Sequence, residues 1–117
     1  MARRLSSALL LACALVALPL PALADQEAKI DARIASWGRN CKNAIAARYP
    51  KAVMAEIMVE LGATLQQEID AGSITLKDIK RNGLSFNYVV QREGRREHVG
   101  YCNTDGEGNV TEVQQQR

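Results

Sequence analysis

The spacing of apolar residues along the chain changes near Gly83, from steps of about four residues to steps of two. In the segment 26–48, five apolar side chains follow one another at steps of three or four, which is the spacing of one helix face. They are Ile30, Ile34, Trp37, Cys41 and Ile45. Asp25 can cap the start of this helix, and Pro50 ends it. Gly38 weakens its middle, so a break near Trp37 remains open.

A second apolar stripe repeats every four positions after Pro50 and predicts a second helix from Lys51 to Gly72. Its members are Val53, Ile57, Leu61, Leu65 and Ile69. The alternative is a strand over 52–61, where several residues are β-branched. The helix is favoured because the pattern continues beyond that segment and because a strand would bury Glu56 or Glu60. Segment 73–83 can hold a third, shorter helix.

Beyond Gly83 the alternation of apolar and polar residues predicts β-strands. Leu84, Phe86, Tyr88 and Val90 alternate with polar residues and form the first strand. Segments 97–103 and 110–114 form the second and third, with glycine-containing turns before each. We therefore predict an α+β domain. Two N-terminal helices, with a short third as an option, pack on one face of a three-stranded antiparallel β-meander.

The register of the first hairpin depends on its loop length. A three-residue loop over 92–94 pairs Leu84 with Cys102 and Phe86 with Gly100, so that Cys102 faces the helices. A two-residue loop at 93–94 would turn Cys102 away from Phe86. The three-residue loop is the prediction, because the helix that carries Cys41 must cover the apolar face.

The first 24 residues have the three parts of a secretory signal peptide. Arg3 and Arg4 are followed by an apolar stretch over 7–18 and by the sequence Ala-Leu-Ala at 22–24. The apolar stretch is too short for a membrane span, which needs about 20 residues. Lipidation at Cys13 is the alternative, but the better cleavage site lies downstream. We predict that residues 1–24 are a signal peptide and that 25–117 form one exported domain, periplasmic or secreted.

Removal of the signal peptide changes both the charge and the cysteine count. The full chain has 15 basic and 13 acidic residues, and the loss of Arg3 and Arg4 brings the net charge of the remainder to zero. This balance gives no support for a nucleic-acid partner. Cys41 and Cys102 remain, and two cysteines in an exported chain are predicted to form a disulfide. His98 is the only histidine, so no metal or cofactor site is predicted.

His98 is the residue on which an enzymatic interpretation depends, because an unperturbed histidine titrates near neutral pH. A hydrolase would need a nucleophile such as Ser36, Ser73 or Ser85, and no nucleophile motif surrounds any of them. Segment 103–110 is similar to part of an EF-hand calcium loop, but a glycine-rich hairpin turn explains the same residues.

Three arginines at the tip of the first hairpin are the predicted partner-binding residues: Arg92, Arg95 and Arg96. A hairpin tip projects, and arginine binds carboxylates in a bidentate manner. The predicted function is that of a small exported binding or accessory protein without enzymatic activity, with a protein as its partner. The alternatives are a small hydrolase that uses His98, and a structural envelope or stress protein without a discrete ligand.

Overall fold

The structure is a computed structural model and describes residues 20–116. A long helix is followed by a strand, two short helices and three further strands. These are α1 (Leu20–Arg48), β1 (Ile57–Leu61), α2 (Ala63–Asp70), α3 (Leu76–Asn82), β2 (Ser85–Arg92), β3 (Arg95–Thr104) and β4 (Val110–Gln115). The strands form one antiparallel sheet in the order β1-β2-β3-β4. The fold is α+β, but the sheet has four strands where the sequence predicted three.

The predicted second helix is wrong for its first half, because Ile57–Leu61 is strand β1 and only α2 is helical. The expectation that a strand would bury Glu60 fails for a physical reason. β1 is an edge strand with one face in solvent, so Ile57 is buried while Met58 and Glu60 are exposed. Gly62 separates β1 from α2, and its N–H donates to the Ser85 carbonyl at 3.2 Å.

Helix α1 covers one face of the sheet without the break that Gly38 suggested. Gly38 faces the Phe86 ring, and a Cβ at this position would lie 3.4 Å from that ring, which is an ordinary van der Waals contact. The stripe seen in the sequence forms the buried face of α1, with Ile34 only partly buried. The amide of Asn40 donates to the Gly108 carbonyl at 3.0 Å, which attaches α1 to the turn between β3 and β4. Among residues 20–116, no helix is long and apolar enough to cross a bilayer.

The predicted register of the β2–β3 hairpin is wrong by two residues, so each side chain stays on its predicted face but has a different partner. Cys102 pairs with Phe86, and Gly100 pairs with Tyr88 instead of Phe86. The turn contains two residues, Glu93 and Gly94, both with positive φ (52° and 75°), which is the geometry of tight hairpin turns.

A β-bulge reconciles this short turn with the buried cysteine. The register shifts between Val90 and Gln91, so that Glu97 is an extra residue on β3. The extra residue shifts the pairing beyond it by one position, so Cys102 and not Tyr101 lies opposite Phe86. Leu84, Phe86 and Cys102 therefore share the buried face, as the sequence predicted.

The two cysteines of the described chain meet in the centre of the core. Cys41 in α1 and Cys102 in β3 are both 0% exposed. Their sulfur atoms lie at disulfide-bonding distance, with a Cα–Cα separation of 6.0 Å. The predicted pairing is therefore the one that the structure shows.

The short third helix proposed for 73–83 is α3 (Leu76–Asn82). Thr75 accepts from the Asp78 N–H, and Asp78 accepts from the Thr75 N–H, so two of the backbone donors at the helix start are satisfied. Gly83 ends the helix at φ 76°. The predicted signal peptide falls largely on residues 1–19, outside the described residues, and its last five residues form the start of α1.

Candidate functional site

The three predicted partner-binding arginines lie at the hairpin tip, but their side chains are not all on the same face of the sheet. Arg92 lies on the face covered by α1 and forms an ion pair with Glu97 at 3.3 Å. Arg96 pairs with Gln91 and borders a depression on the open face of the sheet. Arg95 is exposed at the tip. All three border one shallow depression at the tip together with Glu93 and Glu97, but their other contacts differ, so each is described with its own surroundings.

A cleft lies between the segment that follows α1 and the tip of the β2–β3 hairpin, and we call it the Tyr49 cleft. Its volume is about 310 Å³, which is near the lower limit for small-molecule sites. One wall comes from residues 48–52 and the other from β2 and β3. The lining residues are Arg48, Tyr49, Pro50, Lys51, Ala52, Val90, Arg92, Glu97 and His98.

The bulge determines what faces the cleft. With Glu97 as the extra residue, Glu97 and His98 both line the cleft although they are adjacent in sequence. Bulges commonly redirect side chains in this way near functional sites. The His98 ring stacks on Tyr49, with ring centres 4.1 Å apart and planes at 21°.

Tyr49 is held in place by hydrogen bonds at its far end. Its hydroxyl donates to the Gln115 side-chain oxygen at 3.0 Å and lies 2.8 Å from the Tyr88 hydroxyl. Burial and the hydrogen bond to Tyr49 raise the pKa of Tyr88 well above its usual range. Tyr88 therefore stays protonated, and its hydrogen bond positions the Tyr49 ring.

The charge around the Tyr49 cleft is predominantly positive. Arg48, Lys51 and Arg92 contribute three cations against the single carboxylate of Glu97. Arg48 donates one hydrogen bond to the Val113 carbonyl at 3.0 Å, which holds its side chain beside β4 and leaves other donors of the guanidinium unused. The arrangement favours an anion.

None of the three serines considered for the hydrolase interpretation lies in the cleft beside His98. Ser36, Ser73 and Ser85 do not line the cleft, and the Ser85 hydroxyl donates to Asn103 on the open face. The buried Nδ1 of His98 has no hydrogen-bond partner among the described residues. A catalytic histidine needs both a nucleophile and a group that orients its ring.

A second candidate surface, which sequence reasoning missed, lies along the free edge of β1. We call it the β1 groove: a depression of about 560 Å³ between α1 and β1. Its apolar floor includes Ile57 and Phe86, and its helix wall includes Ile34, Arg39 and Lys42. The β-branched residues near Val59 were the sequence signal for this strand.

The backbone groups at this edge can be assigned from one hydrogen bond. The N–H of Gly62 points toward β2, because it donates to the Ser85 carbonyl. Donors and acceptors alternate in direction along a strand, so those of Val59 and Leu61 point to the open side. The N–H of Ile57 donates to Met54, but its carbonyl also faces outward. Apart from the ladder bonds of the sheet, no backbone hydrogen bond within residues 20–116 uses the N–H of Val59 or Leu61.

The β1 edge has no lysine, proline or bulge, and Glu60 is its one charged side chain. Natural edge strands are protected by lysine, proline or a bulge, and β1 has the sequence Ile-Met-Val-Glu-Leu with an unbroken register to β2. Three exposed apolar side chains lie on it or just before it: Val53 (61%), Met54 (44%) and Met58 (50%). Clustered exposed apolar residues of this kind indicate an interaction surface.

The turn that resembles part of a calcium loop is closed by its own hydrogen bonds. The Asp105 carboxylate accepts from the backbone N–H groups of Glu107 and Asn109 and from the Asn109 amide. These bonds hold the pKa of Asp105 below its usual value. Within residues 20–116, no group of three or more potential metal-ligating side chains is found.

Comparison of the chain with protein families, with curated proteins and with solved structures finds no significant match in any of the three. The two surfaces just described are therefore the basis for any functional conclusion. One is a small, basic, partly apolar cleft, and the other is an unpaired strand edge beside a larger groove.

Proposed function

We propose that this protein is an exported, non-enzymatic binding protein that captures an extended segment of a partner protein by strand addition to β1. The observation that carries the proposal is the unpaired edge of β1, which has no lysine, proline or bulge and borders a groove of about 560 Å³. In this mode of recognition, backbone hydrogen bonds supply affinity, and pockets for alternate side chains supply specificity. The signal-like segment 1–24 and the buried cysteine pair support the exported location.

The backbone of β1 supplies the first part of the binding energy. A peptide aligned with β1 would exchange hydrogen bonds with the outward-facing groups of Val59 and Leu61 and with the carbonyl of Ile57. These groups are preorganised, because β1 is already held by β2 over all five of its residues. The bound peptide would become a fifth strand of the sheet.

The side chains of the β1 groove define the peptide that would fit. Every second side chain of the peptide would enter the groove, where it would contact Ile57 and Phe86 below and Arg39 and Lys42 on the wall of α1. Apolar side chains suit the floor, and an acidic side chain suits the two cations. A segment that combines apolar and acidic residues is the expected ligand.

Arg96 adds a positive charge on the open face of the sheet, which also favours acidic side chains in the peptide. It borders a depression of about 250 Å³ together with Met58 and Glu60 of β1. The outward-facing side chains of an added strand would lie beside this depression. Of the three predicted arginines, Arg96 is therefore the one placed to contact this peptide.

A second copy of the chain is a weaker occupant of the same edge. Two-fold pairing about Val59 would be compatible with the backbone, but it would bring the α1 helices of both copies toward one seam. Arg39 and Lys42 would then meet the same two cations of the other copy, and like charges at an interface are unfavourable. The charge pattern favours a different, acidic partner.

The test is selection of extended peptides on the purified protein, followed by measurement of their affinity for edge variants. We expect selected peptides to combine apolar and acidic residues and to shift the amide NMR signals of residues 57–61. Val59→Pro removes an outward N–H, and Met58→Glu places a negative charge where the acidic peptide would lie, so each should weaken binding by roughly tenfold or more.

The matched control is Gln114→Glu, which adds the same charge to the opposite edge strand, β4, and should leave binding unchanged. Melting curves establish that each variant is folded. Equal binding by the wild type and all three variants would contradict the proposal. Self-association that is lost in Val59→Pro would identify a second copy as the occupant and would also contradict it.

A further inference from the structure

We propose that the Tyr49 cleft is a binding site for a small organic carboxylate with an apolar body. This site is separate from the β1 groove, with which it shares no lining residue. The observations behind it are an excess of positive charge at the rim, an apolar and aromatic interior, and a volume of about 310 Å³.

The rim supplies the groups that would hold the carboxylate. Arg92 presents a guanidinium that is about one-third exposed and engaged with Glu97 at one nitrogen. Arg48 is anchored to the Val113 carbonyl through one nitrogen and keeps its other donors. Arginine presents its donors as a planar fork that matches the two oxygens of a carboxylate. Lys51 adds a third positive charge at the same rim.

The interior supplies contacts for the apolar part of the ligand. Pro50, Ala52 and Val90 are apolar, and the stacked rings of Tyr49 and His98 also line the cleft. The tyrosine hydrogen bonds lie at the far end of the Tyr49 ring, so the rings do not need to reorganise when a ligand binds. Preorganisation of this kind reduces the entropic cost of binding.

These features distinguish an organic acid from a free phosphate. A phosphate site is usually built from backbone N–H groups and several converging cations without apolar walls. Here Glu97 neutralises part of the charge, and much of the lining is apolar. One negative charge on an apolar body therefore matches the cleft better than a dianion does. The carboxylate can belong to a free acid or to the C-terminus of a peptide, since both present the same group.

The test is titration of the purified protein with 3-phenylpropionate, its neutral amide, inorganic phosphate and a short peptide that ends in phenylalanine. NMR signals of His98 and of residues 48–52 report binding at the cleft. We expect saturable shifts with 3-phenylpropionate or with the peptide, and weaker binding of the neutral amide. Whichever of the two carboxylates binds more tightly identifies the source of the ligand.

Substitutions of the charged rim residues test whether the carboxylate binds at the rim of the Tyr49 cleft. Arg92→Gln and Lys51→Gln should each weaken binding by about fivefold, the upper range for a partly exposed ion pair. Arg95→Gln is the matched control, because Arg95 lies on the same hairpin but does not line the cleft. Equal binding of acid and amide, tighter binding of phosphate, or an equal loss in the Arg95→Gln control would overturn the proposal. Val59→Pro should leave this binding intact, which separates the outcome from that of the β1 groove.

Discussion

The hydroxyl of Tyr88 lies 2.8 Å from the hydroxyl of Tyr49, and it is buried at that contact. Tyr88 is only 1% exposed. Because the single proton of the Tyr49 hydroxyl goes to Gln115, Tyr88 must donate and Tyr49 must accept. The stacked surface of the Tyr49 cleft is thus attached to the core by one directed hydrogen bond.

The first prediction follows from that bond. Tyr49→Phe should destabilise the protein by about 1–3 kcal/mol, because it leaves a buried donor on Tyr88 without a partner. The double variant Tyr49→Phe/Tyr88→Phe should recover much of the loss, since both polar groups are then removed. Urea denaturation of the two single variants and the double variant measures the coupling. Additive losses would mean that the hydroxyls do not interact.

Two glycines should respond in opposite directions to replacement by alanine. A Cβ at Gly100 would lie 2.7 Å from the Tyr88 ring and would also collide with the Gln114 carbonyl. Gly100→Ala should therefore be destabilising by roughly 2 kcal/mol or more, as overpacking is. A Cβ at Gly38 has only ordinary contacts, and Gly38→Ala should stabilise α1 by up to about 1 kcal/mol. Melting temperatures measure both, and equal signs would contradict the packing described above.

The sequence predicted the elements whose periodicity is long and unambiguous. The stripe from Ile30 to Ile45 became the buried face of α1, and the alternation after Leu84 became β2. Segment 51–72 was mispredicted because residues four positions apart lie on the same face of a helix and also on the same face of a strand. A repeat of four therefore does not distinguish the two. Gly62 lies between β1 and α2, and a glycine inside the predicted helix was the sequence signal for an interruption there.

The candidate sites were harder to predict than the fold, because both depend on register and edges. The short turn at Glu93 and the bulge at Glu97 together place His98 against Tyr49. Neither position has a side-chain signature for a bulge. The β1 groove exists only because β1 is at the end of the sheet, and strand order is a tertiary property that no local pattern around Val59 records.

Reduction of the bond between Cys41 and Cys102 should lower stability strongly. The two residues are separated by 61 positions, and a loop of that length corresponds to about 4 kcal/mol in the chain-entropy model. Melting with and without reductant, with the thiols counted, measures the effect. The variant Cys41→Ala/Cys102→Ala should be insensitive to reductant. An unchanged melting curve of the reduced wild type would contradict a structural role.

The turn at Asp105 should contribute to stability at neutral pH and lose that contribution in acid. Hydrogen bonds from Glu107 and Asn109 lower the pKa of Asp105 below its ordinary value of 3.8. A lowered folded-state pKa stabilises the protein above pH 3.8, and this contribution disappears as the pH falls through the folded-state value. The difference in melting temperature between wild type and Asp105→Asn should therefore be largest near pH 7 and should narrow below about pH 3.8. A difference that does not depend on pH would show that the charge is not involved.

The signal-peptide prediction has a direct chemical test. Mass spectrometry of the exported protein should give an N-terminus at Asp25, since Ala-Leu-Ala at 22–24 precedes it. Cleavage there would leave the buried stripe of α1 intact, because its first buried residue is Ile30. Ala24→Arg, which disrupts the small-residue site, should cause the uncleaved precursor to accumulate. Recovery of an intact Met1 or a lipid on Cys13 in the exported wild type would contradict the prediction.

The position of β1 in the strand order has a consequence for the path by which the chain folds. β2 and β3 are joined by a two-residue turn and can pair early, because their loop-closure entropy is small. β1 precedes them in the chain but pairs only with β2. The pairing of Ile57 with Val90 therefore forms only after β2 has been synthesised and positioned. During that interval both edges of β1 are without partners. We expect β1 to exchange its amide hydrogens faster than β2 and β3, and to be the strand from which misassembly begins.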